Sequence, residues 1–106
     1  MSEDKRDFTI EELTTGMSER LGFNSGLDAT IKFVLNGGGV IFIDGKSSPN
    51  KVTNEDNPAD ATLKMSLETL NKLRRKEINP MMAVMVGQIK VEGNVTAAMK
   101  LDKILG

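Results

Sequence analysis

Residues 79–106 read NPMMAVMVGQIKVEGNVTAAMKLDKILG. The stretch opens on Asn79-Pro80, an N-cap followed by a residue suited to the first helical position. An unbroken apolar run, Met81 to Val86, follows, and Gly87 stops it. A helix that is apolar all round is predicted to be buried on every side or to face a cavity. Ile89 to Glu92 alternates as a strand, with Ile89 and Val91 on one side and Lys90 and Glu92 on the other. Gly93-Asn94 turns the chain, and Thr96 to Leu105 reads as a closing amphipathic helix with Ala98, Leu101 and Leu105 on one face. Five of the seven Met lie between Met65 and Met99. Met is flexible and polarizable, so such a cluster suits either plain core or a pocket wall that adapts to what it encloses.

Upstream of this stretch, Ala61, Leu63 and Met65 alternate with Thr62 and Lys64, which predicts a strand. Ser66 then caps a helix from Leu67 to about Lys76, with Leu67, Leu70 and Leu73 as its apolar stripe. Lys72, Arg74, Arg75 and Lys76 load its end with cations. That suits the helix dipole, and a cluster of four also suits contact with anionic lipid head groups. Two strands joined through a helical crossover are most simply parallel neighbours, so the sheet is expected to be mixed.

The first half supplies the remaining elements. Thr9 and Glu12 form a T-x-x-E capping box, with Phe8 and Leu13 as the hydrophobic staple. Ile10, Leu13, Met17 and Leu21 recur at helical spacing; Gly16 weakens that helix and Gly22 ends it. Asn24-Ser25-Gly26 reads as a loop. Thr30 to Leu35 alternates, Asn36-Gly37-Gly38-Gly39 signals a hairpin, and Val40 to Ile43 returns. Lys51 to Thr53 is a weak edge strand. Residues 1–8 are expected to be disordered, and residues 9–106 to form one domain of the α+β class. The expected architecture is a mixed α/β sandwich: a five-stranded mixed sheet covered on one face by helices.

Composition narrows the chemistry. Lys and Arg number 14, Asp and Glu 15, so the net charge is −1. That balance argues against a nucleic-acid partner. The chain has no Cys and no His, which removes the thiolate nucleophile, the commonest zinc ligands and the histidine triads. Gly45-Lys46-Ser47 lacks the upstream Gly of a phosphate-binding loop. The acidic turn Asn54 to Asp60 lacks calcium-loop spacing. Lys46, Ser47 and Ser48 adjoin in a turn and form no working constellation. No catalytic residue, metal or cofactor is expected. The charged N-terminus lacks a signal-peptide core, the last residues match neither a peroxisomal nor an ER-retention tail, and a cytoplasmic location is the default.

Several of these segments together resemble the sterol carrier protein 2 family. They are Ala61-Thr62-Leu63-Lys64-Met65-Ser66, Leu67 to Leu73, and Asn79-Pro80. They continue with Gly87-Gln88-Ile89-Lys90-Val91-Glu92-Gly93-Asn94 and Ala98-Met99-Lys100-Leu101. The match is residue by residue in the second half and by order of elements in the first. The resemblance implies a hydrophobic tunnel between sheet and helices. It implies non-catalytic binding, and transfer, of a fatty acid, acyl-CoA, phospholipid or sterol. Scarce aromatics favour a straight acyl chain. The expected cavity-lining residues are Phe33, Leu35, Ile43, Met65, Leu70, Leu73, Met81, Met82, Met85, Val86, Ile89, Met99, Leu101 and Leu105. The chain is expected to be a monomer or weak dimer. The alternative is a protein-interaction or dimerisation module using the same apolar groove.

Overall fold

Ile31, Phe33 and Leu35 on one strand face Ile41 and Ile43 on the next, and Ala61, Leu63 and Met65 on a third; all eight are buried. This layer follows from period-2 alternation, which sends every second side chain to one face of the sheet. Fully burying a side chain the size of Phe33 is worth about 1.5–3 kcal/mol. The computed structural model describes residues 6–22, 26–47, 49–100 and 104–105. Its elements are α1 (Ile10–Leu21), β1 (Thr30–Asn36), β2 (Val40–Asp44), β3 (Lys51–Thr53), β4 (Ala61–Ser66), α2 (Leu67–Arg74), α3 (Pro80–Met85), β5 (Lys90–Gly93) and α4 (Val95–Ala98).

The five strands lie in the order β3-β2-β1-β4-β5. β1 pairs antiparallel with β2 and parallel with β4, with Phe33 opposite Ile41 on one side and Leu63 on the other. The helices cover the apolar face: α1 packs towards β3, α2 against β4, and α4 across β1, β4 and β5. On the opposite face Lys32 and Lys64 are ion-paired, to Asp56 at 2.7 Å and Glu92 at 3.1 Å.

The mixed sheet stands, but its parallel pair is not the expected one. β4 and β5, joined through α2 and α3, are antiparallel, with Leu63 opposite Val91. Two helices with a turn between them bring the chain back to the end of β4 from which it left, which a single crossover helix cannot do. The parallel pair is β1–β4, whose connection runs through β2 and the edge strand β3.

The helix ends explain themselves. Both bonds of the Thr9–Glu12 capping box form. Ser66 Oγ accepts the Thr69 N–H at 3.0 Å, and Asn79 Oδ1 accepts the Met81 N–H at 2.8 Å. α3 ends in a Schellman motif: Gln88 N–H donates to Ala83 O and Gly87 N–H to Val84 O, with Gly87 at φ 83. Only a residue tolerant of positive φ fits there at low cost. α2 ends in the same motif, Glu77 N–H to Lys72 O and Lys76 N–H to Leu73 O. Here the left-handed position is occupied by Lys76, at φ 61.

Two expectations about the last third are corrected. The Met81 to Val86 run is not buried on every side: Met85 is 76% exposed and Val86 64%, and of this helix only Ala83 is buried. Six residues make too short a helix to be wrapped, and its one small side chain is the one turned inward. The closing helix also differs. Asn94 caps α4, its Oδ1 accepting the Ala97 N–H at 3.1 Å, and α4 ends at Ala98 with Met99 as its C-cap. Ile104 and Leu105 are helical again. Residues 101–103 lie outside the described residues, as do 1–5, 24 and 25 of the expected loop, and Ser48. Arg6 to Phe8, within the stretch expected to be disordered, are fastened to α2. No helix among the described residues is long and apolar enough to cross a membrane.

Candidate functional site

α1 turns residues 12, 13, 16, 17 and 20 towards the C-terminal end of α2, the helical spacing that keeps side chains on one face. Between them lies a pocket of about 290 Å³. Its apolar walls are Phe8, Leu13, Met17, Ile104 and Leu105, and four cations line it: Arg20, Arg74, Arg75 and Lys76. The one carboxylate among the described lining residues, Glu12, is held by Arg6, at 3.0 and 2.6 Å. That bond, and then the Thr9 N–H, lower the Glu12 pKa to about 2. The pocket therefore joins an oily floor to a net positive rim.

One wall is a strap. The Asn71 side chain is fully buried. Its Oδ1 accepts the Phe8 N–H at 2.7 Å and its Nδ2 donates to Phe8 O at 3.1 Å, a two-point clamp on one residue of backbone. The Arg74 guanidinium lies 3.7 Å from the centre of the Phe8 ring, within cation–π range. Arg75 pairs with Glu77 and Asp7, which together raise its pKa.

A second pocket, about 180 Å³, lies at the β5 end of the sheet, lined by Leu63, Asn79, Pro80, Met81, Val84, Val91, Ala98 and Met99. Among the described residues the two pockets share no lining residue. These two separate spaces do not form the continuous tunnel that the resemblance implies. The larger lies at the low end of the ~300–1,000 Å³ usual for small-molecule sites.

The candidate lining residues disperse. Leu105 lines the larger pocket, and Met81 and Met99 the smaller. Phe33, Leu35, Ile43, Met65, Leu70, Leu73 and Ile89 are core side chains in neither lining. Met82, Met85 and Val86 are on the surface, and Leu101 lies outside the described residues. Of the cationic cluster, Arg74, Arg75 and Lys76 are on the larger pocket and Lys72 is not. Sequence reasoning missed Phe8, Leu13, Met17 and Arg20 as lining residues. The helical spacing of Leu13 and Met17 was visible, but spacing alone does not separate a pocket wall from solid core. Among the described residues no group of three or more acidic side chains could hold a metal.

A five-stranded mixed sheet covered on one face by helices defines a small α+β domain. Residues 10–106 match the model of the SCP-2 sterol transfer family, and the chain belongs to that family. It is similar to the hydroxysteroid dehydrogenase-like protein 2 of Rattus norvegicus, 36% identical over 81 residues. Those are 73% of this chain and 16% of that protein, so the chain spans about a sixth of that relative's length. The sterol carrier protein domain 2 of Helicoverpa armigera superposes with a TM-score of 0.72 at 27% identity, covering 99% of this chain and 91% of that one. The apo sterol carrier protein 2 of Yarrowia lipolytica superposes at 0.68 and 25% identity, covering 87% and 75%.

Proposed function

We propose that this domain binds a lipid without catalysing its conversion and passes it on, the ligand being a straight-chain acyl lipid with an anionic head. The observation that carries this is the larger pocket, where Leu13, Met17, Ile104 and Leu105 face Arg20, Arg74, Arg75 and Lys76 across one space. An acyl tail gains about 0.8 kcal/mol per methylene buried, and a carboxylate or phosphate suits the guanidinium rim. Family membership supports the lipid class. The dehydrogenase in the rat relative's name belongs to a protein of which this chain spans only a part.

Titration of a fluorescent fatty acid with the purified chain tests the reading. Saturable binding at micromolar protein, displaced by oleate more strongly than by oleyl alcohol, is expected. Absence of saturable binding to the delipidated protein would reject it.

A further inference from the structure

Of the four cations on the larger pocket, Arg75 is already held by two carboxylates. Its Nε donates to Glu77 Oε2 at 2.9 Å and its Nη2 to Glu77 Oε1 at 3.3 Å, so one carboxylate grips one edge of the fork. The remaining nitrogen, Nη1, donates to Asp7 Oδ1. Two carboxylates against one guanidinium leave this cluster net negative. Arg20 and Lys76, on the same rim, are exposed, and neither has an ion-pair partner among the described residues. A ligand's anionic head is therefore drawn to the rim by those two, and finds Arg75 occupied.

The two carboxylates differ in how they are held. Glu77 lies in the turn that ends α2, its N–H bonded to Lys72 O at 2.9 Å, two residues from the cation it grips. Asp7 comes from 68 residues away in the chain, and its side chain is 65% exposed against 12% for Arg75. A carboxylate so exposed gives up little on returning to water, and ion pairs at the surface are weak. The backbone around Asp7 is fastened independently of that pair. Asn71 clamps both polar groups of Phe8, and Arg74 Nη2 donates to Arg6 O at 2.7 Å. The Asp7 side chain can thus turn away from Arg75 while the strap stays on α2.

We infer that Asp7 is a resident counter-ion of the head-group site: it occupies Arg75 in the empty domain, and an entering carboxylate or phosphate takes its place. The inference rests on the lipid reading of the larger pocket and adds to it a residue that sets how strongly an anionic head is preferred over a neutral one. Asp7 makes a charge-assisted bond that an anionic head can make equally, and the acyl tail in the oily floor supplies the surplus that drives the exchange.

Displacement titrations of a fluorescent fatty acid, with oleate and with oleyl alcohol, test this on the wild type, Asp7→Asn, Arg75→Gln and the double variant. Asp7→Asn is expected to bind oleate about threefold more tightly, and oleyl alcohol as the wild type does. Its oleate affinity should also fall more steeply with added salt, because the wild type exchanges one ion pair for another. In the Arg75→Gln background the Asp7 substitution should change nothing. Asp56→Asn makes the same change of charge at Lys32, on the opposite face of the sheet, and should leave both affinities unaltered. If Arg75→Gln fails to fold, Asp7→Asn against Asp56→Asn decides. A wild type that binds oleate saturably, with an Asp7→Asn variant that binds it no more tightly, would overturn the exchange and leave the lipid reading standing. So would an equal gain for oleyl alcohol, or for Asp56→Asn. A wild type with no saturable oleate binding would overturn both.

Discussion

Gly16 separates stability from ligand binding. It lies on the pocket face of α1, lines the larger pocket, and a Cβ added there would meet no atom within 4 Å. Inside a helix, Gly is about 0.8 kcal/mol less favourable than Leu. Gly16→Leu should therefore raise Tm by about 3–6 °C, the shift such an increment gives a domain of this size. The same side chain fills the pocket. Its carbons take the room of about three ligand methylenes, worth roughly 2.4 kcal/mol, or about fifty-fold in affinity. Gly16→Ala grades the effect: about 1 kcal/mol of helix stability gained, and about fourfold lost in binding for one displaced methylene. Differential scanning calorimetry reads the first quantity and fluorescent fatty-acid titration the second. A Leu variant with raised Tm and undiminished binding would refute the assignment of the lipid to this pocket.

Lys76 occupies a left-handed backbone position that costs a non-Gly residue about 1–2 kcal/mol. Lys76→Gly should stabilise the chain by about 1 kcal/mol while weakening fatty-acid binding and sparing a neutral long-chain alcohol; chemical denaturation and displacement titration check both. Asn71→Ala removes both bonds to the Phe8 backbone and should cost about 2–3 kcal/mol, seen as a lower urea midpoint with little change in slope. The pKa of Glu12 falls from 4.5 to about 2 on folding, through Arg6 first and then Thr9. The sign follows from linkage: a depressed carboxyl pKa stabilises above the unfolded value and loses that contribution as pH falls towards the folded one. The stability gap between wild type and Glu12→Gln should therefore be full near neutrality and close on acidification between the two values, in urea titrations at several pH values.

Much of the fold was legible because it rests on local rules. Alternation gave β1, β2 and β4 their buried faces, and Thr9, Ser66 and Asn79 announced helix starts that their side chains do cap. That β4 and β5 are neighbours was legible, but their antiparallel direction was not, since it depends on how two short helices fold back and no residue pattern encodes that. The exposure of Met82, Met85 and Val86 escaped for a related reason. A uniformly apolar run has no polar face to tell which side meets solvent, and the same residues would serve a core or an exposed ridge. The larger pocket joins Phe8 and α1 to the end of α2, more than sixty residues away in the bonds to Asn71. Only the folded chain brings the Leu13–Met17 stripe under Arg74 and Arg75.

Native mass spectrometry of the purified chain, before and after delipidation and reloading with oleate, tests the central claim most directly. Non-catalytic carriage predicts a one-to-one complex with an unaltered acyl lipid that disappears on delipidation and returns on reloading. A chain that shows only the bare protein mass under all three conditions would contradict it.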